Sequence, residues 1–215
     1  MFIYGAYGGP EIIKGLVRDI RPVWALEEIG APYEQIWLNT SEGEQRTDAY
    51  RTINPFGKVP AMVDGDVTLF ESGAICSYIA NKYGQFAPSI GSKEYFEVQQ
   101  WAWAASDTVM PPLFDTFIWT NFRGDHPASE AVLETTREAV TARLDVMEKV
   151  LGDREFLVGN EITIADIMMG SVLRNGLNPN AYEAYPNIQR YGHTLWDRPA
   201  FKRAYEVNLA GPATP

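Results

Sequence analysis

The stretch at residues 54–79, which reads NPFGKVPAMVDGDVTLFESGAICSYI, decides the fold. It opens with asparagine, proline, phenylalanine and glycine, which together are a strong turn signal. Two short apolar runs, at 61–63 and 67–70, flank an Asp-Gly-Asp turn and predict a β-hairpin. Apolar residues then recur at helical spacing over 72–83. This part of the chain therefore predicts a hairpin followed by a helix.

The residues before this stretch predict a strand, a helix and a second strand. Residues 2–4 are apolar or aromatic and predict a short strand, and a loop rich in glycine and proline follows at 5–15. Asp19 is a suitable N-cap for the next helix, and Gly30 is a suitable C-terminal stop. Residues 33–38 predict the second strand. The order βαβ and then ββα is typical of an α/β unit built on a small mixed sheet.

The chain changes character after a predicted linker. Residues 84–91 contain glycine and proline between two helical patterns. The segments that follow are long and helical, and they include an amphipathic stretch at 129–151. The predicted organisation is therefore an α/β domain at 1–83, a linker at 84–91 and an all-helical domain at 92–215.

The composition and the charge exclude several classes of function. A net charge of −10 and a pI of about 4.7 give an acidic surface, which disfavours nucleic-acid and membrane partners. Cys76 is the only cysteine, so an intrachain disulfide is impossible and a thiolate zinc site lacks ligands. Only two histidines are present, at 126 and 193, and no metal site is expected. The chain shows neither a leader pattern nor a membrane-spanning run, so a cytoplasmic location is expected.

Residues 54–60, 69–75 and 78–79 closely resemble the glutathione-binding core of the glutathione S-transferase superfamily. Three further stretches are similar to other parts of that family, in the same order along the chain: 24–30, 156–166 and 185–201. The resemblance covers most of the chain. It implies a thioredoxin-like N-terminal domain followed by an all-α C-terminal domain, a homodimer, and glutathione as co-substrate.

The resemblance implies four residues that hold the peptide of glutathione. In this family the bond before Pro60 is cis, and the turn leaves the Val59 backbone N–H and C=O as an open strand edge. An extended peptide can pair with such an edge by β-addition. Ser72 is expected at the helix N-cap, where its hydroxyl and nearby N–H groups can hold a carboxylate. Glu71 supplies the opposite charge for the ammonium of the same γ-glutamyl group.

Further residues are assigned with less support from the pattern. Lys58, Gln45 and Arg46 are candidates for the glycine carboxylate of glutathione, although exposed basic residues are more often solvated surface. Asp166 forms a predicted capping box with Thr163 and is assigned to structure. Cys76, inside the helix after Ser72, is expected to be a buried core thiol and not a nucleophile.

An aromatic and apolar cluster lies in the first part of the helical domain. It either belongs to the core or forms one wall of the pocket for an apolar electrophile, as the corresponding helix does in the family. Its members are Met110, Phe114, Phe117 and Ile118.

The sequence departs from the family where the glutathione thiol is activated. A free thiol has a pKa of about 8.5 and is mostly neutral at pH 7, so a donor must stabilise the thiolate. Relatives place a serine, tyrosine or cysteine just after the first strand or at the start of the first helix. Here Val17 takes the place of that serine, no serine precedes Ser41, and no cysteine precedes Cys76. The candidate replacements are Tyr4, Tyr7 and Arg18.

These residues predict a glutathione transferase that conjugates the thiolate to a hydrophobic electrophile in detoxification. One alternative is a non-catalytic protein of the same fold that binds glutathione or an apolar ligand, which the missing serine favours. Another is a different glutathione-dependent reaction, such as ether cleavage, isomerisation or dehalogenation. Cysteine-based reduction is disfavoured because no early cysteine is present.

Overall fold

A computed structural model describes residues 1–176 and 182–212. The chain divides into two compact units. Residues 1–87 form the first unit together with the segment that begins at Asp197, and residues 88–196 form the second. The strands are, in chain order, β1 (Phe2–Tyr7), β2 (Glu34–Asn39), β3 (Ala61–Asp64) and β4 (Val67–Phe70). The helices are, in chain order, α1 (Ile20–Ile29), α2 (Asp48–Arg51), α3 (Ser72–Tyr83), α4 (Lys93–Trp103), α5 (Met110–Phe122), α6 (Ser129–Leu151), α7 (Ile164–Gly176), α8 (Pro186–Trp196) and α9 (Pro199–Ala210).

The first unit is built on one mixed sheet with the strand order β2-β1-β3-β4. Strand β1 runs parallel to β2 and antiparallel to β3, and β3 runs antiparallel to β4. The register pairs Tyr7 with Asn39, Tyr4 with Ala61, and Ala61 with Phe70. The ends of β1, β2 and β4 and the start of β3 therefore meet at one end of the sheet.

Helix α9 belongs to the first unit, although the sequence places residues 92–215 in a helical domain. Arg198 forms a bidentate ion pair with Glu28 of α1, with N–O distances of 2.6 and 2.7 Å. Phe201 packs edge-on against the buried Trp24 ring, with 4.8 Å between the ring centroids. These contacts attach the last helix to the helix that follows β1.

The second unit is helical, as its sequence predicts. Its core is apolar and includes Val98, Leu113, Leu144 and Leu195. A π-helical turn, Ala104–Val109, separates α4 from α5. The sequence predicts that the two prolines at 111 and 112 kink or break the helix, and they follow directly on this π-helical turn.

Half of the predicted capping box is present at the start of α7, because the Asp166 N–H bonds the Thr163 carbonyl and not its hydroxyl. The Asp166 carboxylate accepts hydrogen bonds from the N–H and the hydroxyl of Thr163, both at 2.9 Å. It also accepts the Leu157 N–H and the Tyr191 hydroxyl, again at 2.9 Å. One buried carboxylate thus joins α7, α8 and the connection before α7.

Among the helices of the described chain, none is long and apolar enough to cross a membrane.

Candidate functional site

An open strand edge lies at the start of β3. The Val59–Pro60 peptide bond is cis. Within residues 1–176 and 182–212, neither the N–H nor the C=O of Val59 has a hydrogen-bond partner. The preceding carbonyl, of Lys58, is held by the Tyr50 hydroxyl at 2.7 Å and by the Asn54 amide at 2.6 Å. The turn is therefore fixed from one side and leaves a backbone donor and acceptor available on the other.

Glu71 and Ser72 lie alongside this edge. The register pairs Ala61 with Phe70, so the residues just before Ala61 run beside those just after Phe70. Glu71 has a φ of 69°, a left-handed value that is rare for a residue with a side chain and is often found at functional sites. The prediction that Ser72 is the N-cap of α3 is wrong. Glu71 takes the N-cap position, and Ser72 is the first residue of the helix.

The start of α3 is an electropositive surface. The first backbone bond of the helix joins the Ile75 N–H to the Glu71 carbonyl, so the three preceding N–H groups lack helical partners. The Ser72 hydroxyl accepts a hydrogen bond of 3.0 Å from the Arg21 guanidinium, which is buried. Burial, and then repulsion by Arg18, lowers the pKa of Arg21 to about 10, so Arg21 remains charged. An anion at this helix end meets a dipole and a fixed cation.

Arg21 is a residue of this site that none of the sequence motifs contains. A signal for it exists, because it occupies a position of α1 whose neighbours are all buried: Ile20, Pro22, Val23 and Trp24. Arginine is almost never fully buried unless it has a partner. An arginine within an apolar helix start therefore indicates a buried acceptor, which the structure identifies as Ser72.

The candidates for the glycine carboxylate lie around the turn before β3. Gly57 has a φ of 59°, and a Cβ there would lie 2.7 Å from the Gln45 carbonyl oxygen. Only glycine allows this approach, which brings the turn Glu44–Arg46 against the residue before Lys58. The Gln45 side chain is half-buried, and its Oε1 has no hydrogen-bond partner in the described chain. Lys58 and Arg46 are exposed.

The three candidate activating residues occupy different positions. Tyr4 lies within β1, and its ring packs against Tyr50 with 5.6 Å between the centroids. Tyr7 is the last residue of β1, and its carbonyl accepts the N–H and the hydroxyl of Thr40, both at 2.9 Å. Tyr7 and Val17 line a cavity of about 600 Å³ in the first unit. Arg18 lies two residues before α1. Of the three candidates, only Tyr7 lines the cavity that Val17 also lines.

The predicted hydrophobic-substrate residues lie on α5 in the second unit. Phe114 is 47% exposed, whereas Leu113 carries the buried contact of this helix. The other three, Met110, Phe117 and Ile118, are half-buried. Cys76 is buried in α3, and burial raises the pKa of its thiol to about 12, so it stays protonated as the prediction of a core thiol requires.

Asp19 is a buried acid at the junction of β1, α1 and α9. It is the N-cap residue of α1, as the sequence predicts, although its side chain makes no capping hydrogen bond. It accepts the Ala6 N–H at 3.3 Å and the Asn208 amide at 2.9 Å. Burial raises the pKa of Asp19 to about 7, although these hydrogen bonds act in the opposite direction. A carboxyl group thus titrates near neutrality inside the first unit.

This pKa makes the stability of the protein depend on pH. In the unfolded chain Asp19 titrates near pH 4, so between pH 4 and 7 the folded state keeps a proton that the unfolded state releases. The stabilising contribution is complete below about pH 4 and is lost as the pH rises through about 7. Between about pH 5 and pH 7 the loss should be about 2 kcal/mol. Urea unfolding of wild type and Asp19→Asn at both pH values measures it. Parallel pH dependences of the two proteins would contradict this assignment.

Comparisons with known proteins give matches over most of the chain. The glutathione S-transferase N-terminal domain model matches residues 13–81, and the C-terminal domain model matches residues 102–199. Glutathione S-transferase F10 of Arabidopsis thaliana is 37% identical over 153 residues, which cover 68% of this chain and 71% of that protein. Probable glutathione S-transferase GSTF2 of Oryza sativa is 35% identical and covers 85% of this chain and 88% of its own length.

Solved structures agree as well. A glutathione transferase family member from Pseudomonas fluorescens, solved with two glutathione molecules bound, has a TM-score of 0.85 and 27% identity. The match covers 95% of this chain and 92% of that one. Poplar glutathione transferase F1 has a TM-score of 0.80 and 29% identity over 98% of both chains. From its domains, its relatives and its fold, the chain belongs to the glutathione S-transferase family.

Proposed function

We propose that this transferase binds glutathione along the Val59 edge and transfers its thiolate to an apolar electrophile. The observation that carries the proposal is the open backbone of Val59 beside the electropositive start of α3. An extended peptide gains main-chain hydrogen bonds from the first feature and a charged anchor from the second. The bound glutathione in the Pseudomonas fluorescens structure supports the same ligand here.

Each end of the peptide has a matching group. The γ-glutamyl carboxylate meets the Ser72 hydroxyl and the unpaired N–H groups of α3, and its ammonium meets Glu71. The Val59 backbone pairs with the central cysteinyl residue. The glycine carboxylate falls to Lys58, Gln45 or Arg46, and the unpartnered Gln45 oxygen marks a side chain whose amide can reorient toward a ligand.

Tyr7 is our first choice for the residue that stabilises the thiolate. It ends β1 and lines the cavity that Val17 also lines, whereas Tyr4 packs against Tyr50 inside the unit. A phenol can donate a hydrogen bond to the thiolate, and hydrogen bonds to charged groups are the stronger ones. Arg18 is the second choice because it offers a fixed positive charge at the start of α1. A depression of two pKa units corresponds to about 2.7 kcal/mol.

The ultraviolet absorbance of bound glutathione against pH tests this assignment. We expect a thiol pKa about two units below the free value in wild type, and a rise of about one unit in Tyr7→Phe. Tyr83→Phe, on α3 and outside the site, is the matched control and should leave the value unchanged. A rise in Arg18→Ala alone would transfer the role to the arginine. An unshifted thiol in wild type would overturn the thiolate mechanism and favour a binding protein.

The remaining parts of the proposal concern the electrophile and the assembly. We assign the binding of the apolar electrophile to four residues of α5: Met110, Phe114, Phe117 and Ile118. The chain acts in detoxification as a cytoplasmic homodimer. Phe56 supports the dimer because it is 69% exposed, its only described ring contact being an edge-on one with Phe70. Aromatic residues are enriched in the buried centres of protein interfaces.

A further inference from the structure

The first unit contains a buried polar cluster that the proposed function does not use. Asp19 is completely buried and receives hydrogen bonds from the end of β1 and from α9. Asp19 Oδ2, which accepts the Ala6 N–H, also lies 3.5 Å from the amide nitrogen of Gln35 on β2. One carboxylate therefore joins two strands, the first helix and the last helix of this unit.

The fold makes room for this carboxylate. A Cβ on Gly5 would lie 2.1 Å from an Asp19 oxygen and 2.1 Å from the Gln35 amide nitrogen. Any other residue at position 5 would collide with the cluster. Glycine weakens a strand interior, and such a glycine often marks a close approach by another group. The space for Asp19 is thus provided by the sequence of a neighbouring strand.

Stability alone does not explain the cluster. Burial of a carboxyl group is costly, and buried polar networks are often replaceable by apolar residues without loss of stability. The cluster is also incompletely paired, because Asn208 Oδ1 and Gln35 Oε1 are buried without a partner in the described chain. A network that is costly and incomplete calls for an explanation other than stability.

The position of the cluster supplies that explanation. Ala6, whose N–H the Asp19 carboxylate accepts, immediately precedes Tyr7. Asn208, whose amide donates to the same carboxylate group, begins the segment 208–212. Ala6 and Tyr7 line one part of the 600 Å³ cavity, and residues 208–212 line another. The hydrogen bond of 2.9 Å between Asp19 and Asn208 therefore fixes the separation of two walls of this cavity.

We propose that Asp19 and Asn208 are positioning residues for the transfer reaction, which hold the Tyr7 end of β1 and the end of α9 at the spacing that thiolate activation needs. This inference rests on the proposed function, because it assigns to the pair the placement of Tyr7 beside the bound thiol. Neither residue touches the reacting atoms. Both act through the backbone at Ala6 and through the segment 208–212.

A swapped pair provides the test, at about pH 8, where Asp19 is ionised. Asn208→Asp places two carboxylates against each other, and the double variant with Asp19→Asn restores one donor and one acceptor. Asn208→Leu removes the donor and keeps the branched shape of the side chain, and Asn81→Leu on the exposed side of α3 is its matched control. The readouts are the thiol pKa of bound glutathione, its Kd, and the KM and kcat for chlorodinitrobenzene.

We expect Asn208→Asp and Asn208→Leu to raise the bound thiol pKa by about half a unit and the chlorodinitrobenzene KM by about tenfold. The Kd of glutathione should change by less than about twofold, because the Val59 and Ser72 contacts are untouched. The double variant should restore both values. The proposal is overturned if the single variants lower the melting temperature but leave the thiol pKa and the KM unchanged. It is also overturned if the double variant recovers neither the thiol pKa nor the KM of wild type. Failure of the proposed function gives a different result, because the thiol pKa of glutathione bound to wild type would then equal that of free glutathione.

Discussion

Replacement of Asp166 by alanine is expected to lower the free energy of unfolding by about 4 kcal/mol. The carboxylate is completely buried and accepts four hydrogen bonds, each of 2.9 Å. Without the Asp166 carboxylate, the donors of Leu157, Thr163 and Tyr191 have no acceptor. Each buried donor left unsatisfied costs about 1–3 kcal/mol. Partial access of water to the vacated space reduces the sum. Urea or thermal unfolding measures the change.

Two variants make this prediction specific. Glu134→Ala removes an exposed acid from α6 and should change stability by less than about 0.5 kcal/mol. Asp166→Asn keeps the shape and one acceptor oxygen, so it should lose less than the alanine variant. A loss below about 1 kcal/mol in Asp166→Ala would show that the four hydrogen bonds contribute little to the second unit.

Joint replacement of Glu71 by glutamine and Ser72 by alanine is expected to weaken glutathione binding about 100-fold, which corresponds to about 2.7 kcal/mol. The double variant removes the charge that meets the ammonium and the hydroxyl that meets the carboxylate, so two charge-assisted contacts are lost. Hydrogen bonds to charged groups each contribute about 1.5–3 kcal/mol. Isothermal titration calorimetry with glutathione measures the Kd directly.

The control for this variant is Glu94→Gln with Ser77→Ala, which makes the same chemical changes outside the proposed site. Its Kd should stay within about twofold of wild type. Because Arg21 loses its acceptor when Ser72 is replaced, the melting temperature is recorded alongside. A folded double variant that binds glutathione as wild type does would remove the γ-glutamyl assignment from the start of α3.

The elements of the fold were predictable where a local pattern determines them. The helix Ser72–Tyr83 follows from apolar spacing, and its bounds agree with the prediction. The attachment of α9 was not predictable, because an apolar helix face does not identify its partner. Arg198 and Glu28 are 170 residues apart, and neither shows in sequence that it pairs with the other.

The candidate site was predictable in outline, and one capping position was wrong. The sequence predicts Ser72 as the N-cap of α3, but Glu71 takes that position. Asp19 is the N-cap residue of α1, as predicted, but its carboxylate is engaged by Ala6 and Asn208. Pro22, in the first turn of α1, has no N–H to donate to it, and Gly5 leaves room for it on the side of β1. Such choices depend on neighbours that are distant in sequence, whereas capping preferences describe only the local chain.

The attachment of α9 to α1 also constrains the order in which the parts of the protein fold. The chain emerges from the ribosome with its N-terminus first, and domains generally fold as units during synthesis. Trp24 and Asp19 obtain their partners Phe201 and Asn208 only when the last helix has emerged. The first unit to be translated is therefore completed after the second, and until then the nascent chain carries an apolar surface on α1 that chaperones can bind.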